Sequence, residues 1–131
     1  SAAARASLPQ AHVSDMLRMD RAGRVSPPRV FPLARLNVSS LAMTRACFET
    51  IGMQEEQPFG ADSEYLARVT TYLGAAALLR DKAPLVVAGL RLGSVSIGSR
   101  FGFDRPEGAR ARVAYRENWL PRHVAHVLGR A

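Results

Sequence analysis

Two histidines, His123 and His126, lie three residues apart near the end of the chain. At that spacing on a helix they share a face, and two imidazoles supply half of a metal site. No second ligand pair accompanies them. Cys47 is far away in sequence, and no HExxH or ExxH pattern occurs. The pair reads as two solvated histidines on a basic C-terminus, and no metal is assigned. The stretch GSVSIGSR, residues 93–100, sets Gly93 and Gly98 at Walker spacing, but Ser99 and Arg100 follow where the phosphate-binding lysine belongs. These glycines read as turns, and no nucleotide cofactor is assigned. Cys47 lacks the surroundings of a nucleophile and falls on an apolar helix face, which suits a buried structural thiol. The acids Glu55, Glu56, Asp62 and Glu64 read as solvated helix-end charges. With no catalytic residue, cofactor or small-molecule substrate to assign, the chain reads as a non-enzyme.

The strongest interaction signal is residues 108–123, where Arg110, Arg112, Arg116 and Arg122 are interleaved with Tyr115 and Trp119. Arginine pairs carboxylates and phosphates, and aromatics stack bases or anchor interfaces. The segment therefore suits protein, anionic lipid or RNA. A second set, Arg24, Arg29, Phe31 and Arg35, suits docking of the N-terminal stretch onto a neighbour.

The elements that must position these residues fit one domain of 131 residues. Apolar residues make up 47% and charged residues 22%, which excludes wholesale disorder. A single cysteine excludes an internal disulfide and a four-cysteine zinc module, and fits a reducing compartment. The net charge is +7, and every basic residue except Lys82 is arginine. Charge is segregated, with net +4 over residues 1–36, −3 over 37–75 and +6 over 76–131. Two basic ends around an acidic middle suit docking to acidic partners. Residues 1–25 are rich in Ala, Ser and Arg, and Asp15 is their first acid, a composition like that of an organellar transit region.

Residues 1–36 read as an extended basic arm with a short helix near 13–21. Pro27, Pro28 and Pro32 keep its second half extended. Residues 37–131 read as one mostly helical domain. Helices are expected over 39–56, capped by Ser39 or Ser40, over 62–81, capped by Asp62 or Ser63, and over 105–120, with Asp104 as cap, Pro106 in the first turn and Trp119 and Pro121 at the end. The 62–81 helix is apolar on both sides, which points to burial against another chain. Residues 84–103 fit a short β-hairpin or a membrane-embedded segment, with Arg91 and Arg100 opposing the latter. The fold class is therefore mainly α, with about three long helices and an extended Pro/Arg-rich arm.

The expected function follows from setting rather than from a site. It is that of a structural accessory subunit of a large mitochondrial assembly, a respiratory-chain complex or ATP synthase, in the matrix or at the inner membrane. Its partners would be other protein subunits and anionic lipid. The alternative is a mitochondrial ribosomal protein holding rRNA through its Arg-rich ends.

Overall fold

A computed structural model of the chain describes residues 8–26, 38–89, 100, 102 and 105–129. Among the described residues three α-helices are present where about three long ones are expected, and one of them has only seven residues. A sheet built around residues 11–19 joins them, so this small domain is mixed α/β.

Strand β1, Ala11–Met19, replaces the short helix expected near 13–21. It is the central strand. Along one edge it pairs in parallel with β4, Leu78–Gly89. Its other edge is shared by two short antiparallel strands: β2, Val25–Ser26, at its C-terminal end and β3, Ala42–Met43, at its N-terminal end. Between them β1 has no strand partner among the described residues, and Ser40 fills the gap. Its hydroxyl accepts from Ser14 N at 3.2 Å and donates to Ser14 O at 3.1 Å, so one side chain imitates a neighbouring strand. The β1–β2 turn closes on Asp20, whose Oδ1 accepts from Ala22 N and Arg24 N and whose Oδ2 pairs with Arg24 Nε at 3.0 Å. The pairing of β1 with β4 slips at Ser14/Asp15 and again at Asp15/Met16. There β4 holds Pro84, which has no N–H for a ladder, and Asp81 Oδ1 accepts instead from Ala83 N at 2.9 Å.

Helix α1, Arg45–Ile51, is much shorter than the expected 39–56 helix. Residues 38–40 form a single 3-10 turn and 42–43 join the sheet, so the cap moves from Ser39 or Ser40 to Thr44, whose side chain accepts from Cys47 N. Gly52, at φ 76°, ends the helix. Helix α2, Ala61–Leu73, starts where expected but stops at Gly74. The chain then turns through 75–77 and becomes β4, so residues 74–81 of the expected 62–81 helix are turn and strand. Its N-cap is Gly60, not Asp62 or Ser63; Asp62 Oδ1 accepts instead from Gln54 Nε2. Helix α3, Pro106–Leu128, has Pro106 at its start and Glu107 in its first turn, as expected, but it continues through Pro121 instead of ending there. Of the expected hairpin or membrane segment, residues 84–89 belong to β4, which pairs with β1, and 90–99, 101 and 103 lie outside the described residues. No helix among the described residues is long and apolar enough to cross a membrane.

The core gathers Ala11 of β1, Cys47 and Ile51 of α1, Tyr65 and Val69 of α2, and Ala77. Tyr65 ties α1 to α2 by donating to Gly52 O at 2.8 Å.

Candidate functional site

Helical geometry divides the arginine-rich segment. Gly108, Trp119 and His123 are buried along one face of α3, with Arg112, Tyr115 and His126 half-buried beside them. Arg110, Val113, Arg116, Glu117, Leu120, Val124 and Val127 are exposed. The aromatics of the segment therefore belong to the inner face. Trp119, 5% exposed, packs on His123 with ring centroids 4.8 Å apart. Tyr115 donates to Glu55 Oε2 at 2.7 Å, and Arg122 pairs with Glu55 Oε1 at 3.0 Å. Arg112 lies over the Phe59 ring and donates to Gly108 O. Only Arg110 and Arg116 of the arginine set reach solvent without an ion pair among the described residues. Of the arm residues, Arg24 closes the β1–β2 turn, and Arg29, Phe31 and Arg35 lie outside the described residues.

The inner face of α3 meets a charged group inside the protein. Glu64 of α2, expected as a solvated helix-end acid, is 1% exposed. Its carboxylate takes Arg68 in bidentate fashion, Nε to Oε1 at 2.9 Å and Nη2 to Oε2 at 2.6 Å. Arg68 Nη1 donates to the carbonyls of Ile51 and Met53, both at 2.8 Å, which satisfies the chain where α1 ends. His123 Nε2 stands 2.6 Å from Glu64 Oε1. Both carboxylate oxygens already accept from a guanidinium, so the network assigns Nε2 as the donor. Burial of such charges is costly unless each is paired and hydrogen-bonded, and here each is.

Two half-buried groups complete the wall of a cleft of about 380 Å³ that is open to solvent. Tyr72 stacks flat on His126, centroids 4.0 Å apart, and meets His123 edge-on at 5.6 Å. The two histidines share a face but are not solvated as expected: His123 is buried and His126 half-buried, and both seat α3 on α2. Among the described residues no group of three or more His, Cys, Asp or Glu is placed to hold a metal ion. Glu55, above the buried group, has its carboxyl held below the ordinary glutamate range, first by the Tyr115 hydroxyl and then by Arg122. Burial, with Glu55 beside it, pushes the Tyr115 phenol above its ordinary range. Cys47 is buried in the core, and burial raises its thiol.

Glu64 and Arg68 were legible only as an i, i+4 acid–base pair, and that pattern by itself indicates a surface pair. A comparison of the sequence with protein-family models and with curated proteins finds no match to either.

Proposed function

We propose that this chain is a non-catalytic structural subunit of a large mitochondrial assembly, a respiratory-chain complex or ATP synthase, and acts by packing against other subunits. The observation that carries this reading is the second apolar face of α3. Val113 is 56%, Leu120 42%, Val124 47% and Val127 38% exposed, on a helix whose inner face is already buried. Full burial of an exposed Val or Leu contributes about 1.5–3 kcal/mol, and these side chains are already about half covered, so each adds roughly half of that toward offsetting the entropy of association. On the opposite face Tyr115, Arg122 and His123 are hydrogen-bonded or ion-paired to Glu55 and Glu64, which suits a part that holds shape. The mitochondrial setting rests on the Ala, Ser and Arg content of residues 1–25. The ribosomal alternative has less support: Trp119 is buried and Tyr115 is tied to Glu55, so neither aromatic of the segment is free to stack bases beside the exposed arginines, as single-stranded RNA favours.

The test is gradient sedimentation and native electrophoresis of detergent-solubilised mitochondria with and without RNase, followed by mass spectrometry. Comigration with a respiratory complex or ATP synthase, unchanged by RNase, is expected. RNase-sensitive comigration with ribosomal subunits, or a small free species, overturns the proposal.

A further inference from the structure

The exposed residues of α3 have a register. Arg110, Val113, Glu117, Leu120, Val124 and Val127 follow one another in alternating steps of three and four. All six are exposed within Pro106–Leu128. That alternation is the seam of a helix that packs along its length against another helix. We infer that the seam receives one helix of a neighbouring subunit, amphipathic, acidic along its flanks and carrying a Lys or Arg opposite Glu117. The inference rests on the subunit reading above and adds the place and chemistry of the contact.

Charge selects this partner. Arg110 lies on the seam and Arg116 beside it, both exposed and without an ion pair among the described residues, in a chain of net charge +7. Acidic flanks on the incoming helix neutralise them. Glu117 lies between Val113 and Leu120, where an unpaired carboxylate is costly to bury, so the partner must bring a cation to it. A second copy of this chain fits poorly. Parallel pairing sets Glu117 against Glu117 and Arg110 against Arg110. Antiparallel pairing about Leu120 sets Glu117 near Val124 of the other copy, a charge in an apolar layer. An anionic membrane also fits poorly, because Glu117 interrupts the apolar stripe and Trp119 is turned inward, away from the interface that tryptophan favours.

The test uses the full chain in its assembly. A photo-crosslinking amino acid is placed at Val113 and, separately, at Val124, and the linked peptides are sequenced by mass spectrometry. Both positions are expected to capture one segment of one other subunit, with apolar residues at three- and four-residue steps and Asp or Glu beside them. Capture of a second copy, of lipid, of RNA or of a segment without acidic flanks overturns the inference. So does a chain that comigrates with its assembly but links to nothing from either position. A chain that sediments alone overturns the subunit reading as well, which separates the two failures. The double variant Arg110→Glu/Arg116→Glu is expected to lower occupancy in the assembly about tenfold or more, while Arg21→Glu/Arg45→Glu, matched in charge and away from the seam, leaves it near wild type. Equal occupancy of the two variants also overturns the inference.

Discussion

His123 Nε2 and Glu64 Oε1 are 2.6 Å apart, both side chains almost wholly buried, and this hydrogen bond fastens α3 to α2. Glu64 holds Arg68 at the same time, and Arg68 holds the end of α1 through two carbonyls. One carboxylate therefore links all three helices. Glu64→Gln keeps the shape but leaves the Arg68 guanidinium buried without its counter-charge, and is expected to cost about 3–5 kcal/mol. His123→Ala leaves the Glu64–Arg68 pair intact and is expected to cost less, about 2–3 kcal/mol, from a lost hydrogen bond and the space left between Tyr72 and Trp119. Urea unfolding of the two variants and their double mutant checks both the order and the coupling. Additive costs would show that the bond does not unite the helices.

Tyr115 and Glu55 predict an asymmetric pH profile. The folded state holds Glu55 below its ordinary range, so as pH falls the unfolded chain takes up its proton first. The stability Glu55 contributes is complete above the ordinary glutamate range and is lost as pH falls through its depressed folded value. Tyr115 acts on the other limb. Its raised phenol contributes stability that is complete below the ordinary tyrosine range and is lost as pH rises toward its folded value. Tyr115→Phe is expected to cost about 1.5 kcal/mol near neutral pH and to flatten both limbs. Denaturation series from acid to alkaline pH measure this, and an unchanged acid limb in the variant would remove Tyr115 as the main cause.

Gly60 and Gly52 share φ 76° but differ in surroundings. A Cβ on Gly60 would sit 3.0 Å from Tyr115 Cδ1, whereas one on Gly52 would meet nothing within 4 Å. Gly60→Ala therefore combines left-handed strain of about 1 kcal/mol with displacement of Tyr115. Gly52→Ala carries backbone strain alone, about 1–3 kcal/mol. In a Tyr115→Ala background the cost of Gly60→Ala is expected to shrink and that of Gly52→Ala to stay constant. Thermal or chemical unfolding of the four combinations measures the difference.

Ser40 predicts a large effect from a small side chain. Ser40→Ala removes both partners of the Ser14 backbone on a strand where Ser14 is 0% exposed. The expected cost is about 2–4 kcal/mol, one buried donor and one buried acceptor left unpaired. Hydrogen exchange at the Ser14 amide supplies a local readout, and protection unchanged in Ser40→Ala would exclude the strand-like role of the hydroxyl.

The sequence by itself determined the helical face of α2, because Tyr65, Leu66, Val69, Tyr72 and Leu73 repeat at the helical period, and the start of α3, because proline is favoured in a first turn and Pro106 follows closely on the candidate cap Asp104. It also named both faces of α3 without separating them. An arginine at 110 and one at 122 look alike until the inner face is known, and that face is set by contact with Glu55, Glu64 and Tyr72. Strand β1 was hidden for a related reason. Val13 and Ser14 are neighbours in sequence and both 0% exposed, so the strand is covered on both sides and shows no period-two alternation, while Val13, Met16 and Leu17 imitate helical spacing. Only the tertiary structure decided these matters. Local propensity acts over a few residues, whereas β1 finds β4 nearly seventy residues away and Glu64 finds His123 at a separation of 59. Such pairings are fixed by which buried groups can satisfy one another, and no stretch of sequence contains both partners.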